Sequence, residues 1–167
     1  MEKVKRQEKM CLKRKSKILI AFCIAILLVA CKGNYVFDKV VEIENGSWHA
    51  DEPFAFNFTI SDTLLSYDVL FHLRNNSNYQ YSNIWFFIET SSPNGVVLKD
   101  TVEYQLADAS GQWLGSGLGD INSMLLAYKT NIRFPLRGVY TLKVKQAMRE
   151  EELKNIIDLG LRIKPHK

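Results

Sequence analysis

Cysteine, histidine and long apolar runs are all scarce in this 167-residue chain, and each scarcity removes a class of function. Its three cysteines are Cys11, Cys23 and Cys31, with no Cys-x-x-Cys pair to build a thiolate metal site or a redox centre. The three histidines, His49, His72 and His166, have no second histidine or cysteine at ligand spacing, so they read as surface residues. The one uninterrupted apolar run, Ile18 to Ala30, is thirteen residues long. A helix that crosses a bilayer needs about 20.

The flanks of that run explain it. Eight lysines and arginines precede it, and small residues end it. A basic start, a short apolar stretch and a small-residue end make a secretory signal, with Met10 opening a shorter version of it. Its last four residues, Leu28-Val29-Ala30-Cys31, resemble the bacterial lipobox, in which the cysteine becomes the lipid-modified first residue after cleavage. The expectation is a signal peptide over 1–30, a lipidated Cys31 with a short tether over 31–34, and a folded domain over 35–167. Several acyl chains on Cys31 would hold the protein on a membrane, where one chain binds only marginally.

Removing the signal changes the charge and the thiol chemistry. Residues 1–30 hold eight Lys/Arg against two acids, so the whole-chain charge of +4 becomes about −2 from residue 31 onward. The basic pI therefore belongs to the signal and gives no argument for nucleic-acid binding. Cys11 and Cys23 leave with it and Cys31 is acylated, which excludes a disulfide or a cysteine nucleophile from the mature chain.

Beyond residue 35 the dominant pattern is period-two alternation, the signature of strands with one face turned inward. Phe54, Phe56, Phe58 and Ile60 share a face, as do Tyr67, Val69, Phe71 and Leu73, against an outward set of Asp68, His72 and Arg74. The same holds for Tyr128, Thr130, Ile132 and Phe134, for Tyr140, Leu142, Val144, Gln146 and Met148, and for Ile157, Leu159, Leu161 and Ile163. Asn, Gly and Pro clusters at 44–47, 75–78, 92–95 and 136–139 supply turns. This predicts an all-β fold: a single antiparallel β-sandwich of about eight strands, near 35–43, 53–60, 67–74, 83–90, 96–106, 128–134, 139–148 and 156–163. The stretch "NIWFFIET" (83–90) is apolar on both faces and reads as a central or covered strand. Residues 107–127 read as a long loop with a helical turn at "INSMLLAY", and "REEELKN" (149–155) as a further helical turn.

The motif search is mostly negative. Gly115, Gly117 and Gly119 in "WLGSGLGD" lack the strand–turn–helix context of a phosphate loop, so they read as tight turns or close backbone packing. Asp100 with Glu103, and Asp108 with Asp120, are carboxylate pairs whose sequence spacing does not make a hydrolytic acid and base. The expectation is therefore a protein that is not an enzyme and holds no metal or cofactor. Aromatics carry more weight: Trp113 and Gly115 in the glycine-rich loop, with Tyr79 and Trp85, form the candidate partner or ligand surface, and Trp48 and Tyr81 are lesser candidates.

Several segments together resemble one family. They are Trp48, "LRNNSNYQYSNIWFFIET" (73–90), "DTVEYQLADASGQWLGSGLGD" (100–120), "GVYTLKVKQAMR" (138–149) and "IIDLGLRI" (156–163). They resemble the gliding motility lipoprotein GldH family of Bacteroidetes, and the lipobox agrees independently. The resemblance implies an envelope lipoprotein needed for gliding in motile members, where gliding depends on the type IX secretion machinery. The resemblance does not establish a molecular activity; taken with the lipobox and the missing catalytic constellation, it gives the expectation of a lipid-anchored protein on the outer membrane, facing the periplasm, that acts through other envelope, gliding or secretion proteins. The alternative is a carbohydrate- or envelope-polymer-binding sandwich, in which Trp113, Tyr79 or Trp85 stacks on sugar rings.

Overall fold

A computed structural model describes residues 35–167. The signal, the lipobox, Cys31 and the tether lie outside the described residues. The strands are β1 (Phe37–Glu42), β2 (Ser47–His49), β3 (Phe54–Ile60), β4 (Tyr67–Asn76), β5 (Asn83–Ser91), β6 (Val97–Gln105), β7 (Ser116–Leu118), β8 (Ile121–Ile132), β9 (Gly138–Gln146), β10 (Glu152–Lys154) and β11 (Ile156–Pro165). A five-stranded sheet, ordered β1-β11-β4-β8-β7, packs on a four-stranded sheet, ordered β3-β9-β5-β6. Every pairing is antiparallel, and the small β2–β10 ribbon stands beside them. The fold is the β-sandwich that alternation predicts.

The alternating residues meet between the sheets. Phe56, Phe58 and Ile60 from β3, Ile84, Phe86 and Ile88 from β5, and Tyr140, Leu142 and Val144 from β9 are all buried. They face Val69, Phe71 and Leu73 from β4 and Leu159, Leu161 and Ile163 from β11. Phe86 is the hub, with ring centroids 5.6 Å from Phe71, 5.7 Å from Trp48 and 5.7 Å from Tyr104. Such edge-on and tilted aromatic pairs add to the free energy of burial itself.

Three expectations need correction. Residues 121–127 are the first half of β8, not a loop with a helical turn. The consecutive apolar run Met124-Leu125-Leu126-Ala127 hides the period of two: Leu126 points into the core while Leu125 is exposed. The 149–155 segment forms no helical turn either. Gln146 is buried, donates to the Glu150 carbonyl at 2.7 Å and accepts the Met148 N–H at 2.8 Å. That folds the chain into a bend, after which β10 pairs with β2 and sets Leu153 opposite Trp48, both buried. Finally, Ile156 rather than Ile157 is buried at the start of β11, because a register shift between Ile156 and Asp158 inserts one residue.

One outward position on β4 is more constrained than a solvent face. Asp68 is buried; it accepts the Asn131 N–H at 3.0 Å and lies 2.7 Å from the His166 ring and 3.6 Å from Lys164. Burial pushes its carboxyl upward, but the Asn131 N–H, His166 and Lys164 outweigh burial and hold it below its ordinary value. His166 is therefore tied down at both ends, with its ring on Asp68 and its backbone N–H on the Ser66 carbonyl at 2.8 Å.

Candidate interaction surface

The most chemically distinctive open surface is the outward face of the four-stranded sheet. Alternation along β5 sends Ile84, Phe86 and Ile88 inward and Trp85, Phe87 and Glu89 outward. Trp85 is 37 % exposed and Phe87 54 %. The sequence reading of 83–90 as a central or covered strand holds in its first form: β5 is hydrogen-bonded on both sides, by β6 and β9, and nothing among the described residues covers its outer face.

Cross-strand register fixes what surrounds the two rings. Glu103 on β6 stands opposite Trp85, and Thr101 opposite Phe87. Lys145 on β9 stands on the other side of Phe87, and Lys143 beside Glu89. Two shallow clefts open on either side of Phe87. One, of about 460 Å³, has Tyr81, Asn83, Trp85 and Arg149 in its wall; the other, of about 570 Å³, has Pro53, Glu89, Lys143 and Lys145. Lys145 reaches Asp51 at 3.6 Å, whereas Lys143 and Arg149 make no ion pair among the described residues. The result is an aromatic centre with cationic and hydrogen-bonding groups at its margin, the composition found at the centre of protein interfaces and at sugar platforms.

The other candidate residues separate from this face. Tyr79 is 5 % exposed, and its hydroxyl donates to the Asn83 carbonyl at 3.0 Å. It is a core residue, a correction to its place on the candidate surface, and burial holds its phenol well above the ordinary range. Trp48 is core as well, with its indole N–H on the Glu52 carbonyl at 2.9 Å. Trp113 is half-buried against Tyr79, 6.4 Å between centroids, and bridges to Ala107. Gly115 lies so close to β8 that an added Cβ would stand 2.5 Å from the Ser123 carbonyl oxygen. Its role is close backbone packing, as read from the sequence.

Two chemistry-bearing groups among the described residues are not arranged as a reaction centre. Asp100 and Glu103 are on opposite faces of β6, and Asp100 is taken up by Lys129 at 2.8 Å and the Tyr128 hydroxyl at 2.5 Å. Those two partners hold its carboxyl below the ordinary value, which keeps it a carboxylate and not a proton donor. On the outer face of the five-stranded sheet, His72 Nε2 lies 2.8 Å from Ser123 Oγ, but its Nδ1 stands 3.9 Å from Asp158, too far for an orienting hydrogen bond. Asp158 instead receives the Arg74 guanidinium. Burial lowers the His72 pKa, with Asp158 opposing and Arg74 assisting. Among the described residues no group of His, Cys, Asp and Glu is arranged to hold a metal ion.

Phe87, Lys143, Lys145 and Arg149 were not singled out from sequence. The available signal was "WFF" itself: two aromatics that alternate with a buried Phe86 must leave the core face.

The described domain coincides with a known family. The model of the GldH lipoprotein family matches residues 35–163. A gliding motility lipoprotein GldH homolog of Christiangramia forsetii is 37% identical over 145 residues, covering 83% of this chain and 88% of that protein. The gliding motility lipoprotein GldH of Flavobacterium johnsoniae is 35% identical over 146 residues, covering 83% of this chain and 90% of its own. Among solved structures, the alignment covers 82% of this chain and 18% of a GH115 4-O-methyl-α-glucuronidase, with a TM-score of 0.36 and 12% identity. It covers 81% of this chain and 13% of latent PorU from Porphyromonas gingivalis, with a TM-score of 0.33 and 11% identity. Those two scores are too low to bear on fold or activity. The family match runs from β1 to Ile163 in β11, through both sheets and the Trp85–Phe87 strand, and on that extent the chain belongs to the GldH lipoprotein family.

Proposed function

We propose that this protein is a non-enzymatic gliding-motility lipoprotein, anchored to the outer membrane through acyl chains on Cys31 and facing the periplasm. It supports gliding, or the type IX secretion machinery on which gliding depends, by docking onto other envelope proteins. Support for the first part comes from the family membership and the lipobox. The observation that carries docking is the uncovered Trp85–Phe87 pair at the middle of a sheet face, ringed by Lys143, Lys145 and Arg149. Aromatic side chains and arginine are the residue types enriched where proteins meet, and the rim around them is polar.

The test is crosslinking in native membranes with the full-length protein and its Trp85→Ala/Phe87→Ala variant. Envelope partners recovered with the parent should disappear with the variant while the protein stays in the membrane fraction. Identical partner lists would remove this face from the docking role. In the same preparation Cys31→Ala should release or mislocalise the protein, and an unchanged membrane fraction would sink the lipidation claim.

A second reading has an observation of its own. Asn83 and Thr101 stand beside Trp85 and Phe87 in the 460 Å³ cleft, and an aromatic flanked by hydrogen-bonding side chains is how a sugar ring is held. A glycan array with the full-length protein in detergent separates the two: glycan signal abolished by Trp85→Ala favours the polymer-binding reading, and background signal removes it.

A further inference from the structure

The four-stranded sheet ends on β6, and the far side of that strand has no neighbour among the described residues. Most edge strands are short, bulged, charged or broken by proline, because an open row of N–H and C=O groups pairs with any available strand; the charge on β6 is of both signs, with Lys99, Asp100 and Glu103. β6 runs for nine residues, carries no proline, and pairs with β5 without a register shift. Val97, Lys99, Thr101, Glu103 and Gln105 are all exposed along it.

The direction of its free backbone groups follows from the ends of the ladder. The Ser92 N–H donates to the Val96 carbonyl at 2.8 Å, and the Leu106 N–H to the Ser82 carbonyl at 2.7 Å. Both contacts are in phase with hydrogen-bonded pairing of the even-numbered β6 residues to β5. The odd-numbered residues, Val97 to Gln105, therefore aim their N–H and C=O groups at the open edge.

We propose that this edge is a homodimer interface, in which β6 pairs antiparallel with β6 of a second copy about a two-fold axis at Thr101. Thr101 is the midpoint of the strand, so this register uses all nine residues and joins two four-stranded sheets into one of eight. It places odd residues opposite odd residues, as the free backbone groups require. Lys99 then faces Glu103 of the second copy, twice by symmetry, and Leu98 faces Tyr104 on the core side. Cross-strand pairs of opposite charge and of apolar residues stabilise a sheet, and like charges oppose it. Moving the axis to Asp100 sets that carboxylate against itself; moving it to Val102 sets Lys99 opposite Gln105. In the single chain Lys99 reaches only Glu89, at 3.5 Å with its side chain 78 % exposed, so it is free to change partner. A two-fold, self-complementary contact is the commonest form of homo-oligomer. Confinement to a membrane surface raises the effective concentration that a contact of one strand length needs.

The experiment uses the full-length chain in membranes, with Thr101→Cys as the probe and the parent chain as the background for its own cysteines. Cα atoms of a hydrogen-bonded antiparallel pair stand about 5.5 Å apart, within disulfide reach. Mild oxidation, or a short bis-maleimide, should give a product of twice the chain mass, several-fold above Leu64→Cys, an exposed loop position. Lys99→Glu and Glu103→Lys, each added singly to Thr101→Cys, should lower the yield, and the two together should restore it. Three results overturn the proposal: crosslinking no greater than at Leu64→Cys, a crosslink to a different protein, or a dimer indifferent to charge reversal. Thr101 and Glu103 border the Trp85–Phe87 face, so the two readings are separated by adding Trp85→Ala/Phe87→Ala to Thr101→Cys: the crosslink yield should stay unchanged, and its loss would overturn the edge-to-edge contact.

Discussion

Phe86 and Phe87 are adjacent in sequence, identical in chemistry and opposite in fate, which makes them the sharpest test of the sandwich and of its open face. Phe86 is fully buried against Trp48, Phe71 and Tyr104, so Phe86→Ala opens a cavity between the sheets and should cost about 3–5 kcal/mol. Phe87 is 54 % exposed. Full burial of a phenylalanine is worth roughly 1.5–3 kcal/mol, so the covered half of Phe87 contributes about 1 kcal/mol. The two alanine variants should differ by at least about 2 kcal/mol. With urea slopes of about 1–3 kcal/mol per molar for small domains, that is a midpoint difference of at least about 0.7–2 M. Urea unfolding followed by tryptophan emission reads it directly, since Trp48 is buried in the same core. Equal losses for both variants would mean that Phe87 packs as tightly as Phe86 and that no open face exists. A reversed order would place β5 one residue out of register, since a one-residue slip exchanges the two faces.

Two further predictions concern the frame that holds this face. Asp68→Asn should lose about 1–3 kcal/mol at pH 7, the range for a buried hydrogen-bonded charge, because the Asn131 N–H and His166 lose a carboxylate partner. Its folded pKa is depressed, so its contribution is present above the ordinary carboxylate range and is lost as pH falls through the folded value. The gap between parent and variant in thermal melts should therefore close below about pH 4, and a gap constant with pH would refute the assignment. Gly115→Ala should cost about 1–3 kcal/mol by forcing β7 away from β8, since the new Cβ meets backbone, 2.5 Å from the Ser123 oxygen, and not a movable side chain. Faster amide exchange over 116–118 is the local signature; unchanged protection would show that the loop accommodates a methyl group.

The sequence by itself determined what is local. Alternation at Phe54–Ile60, Tyr67–Leu73 and Tyr140–Met148 sets strands and their core sides, because a strand's period of two depends only on its own residues. The turns between them follow from Asn, Gly and Pro in the same way, and the family likeness was legible in "YSNIWFFI" and "QAMR". Tertiary structure decided everything that depends on a partner strand. Three-residue strands such as β2, β7 and β10 are too short to show a period, and they exist only because another segment pairs with them. The bulge at Ile156–Asp158 moved burial from Ile157 to Ile156, since register is a property of two strands together. Tyr79 and Trp85 looked alike as candidate surface aromatics, and the fold buried one and exposed the other. Alternation states that two faces differ; which of them meets another layer is set by sheet order, and sheet order is a long-range choice that no single segment contains.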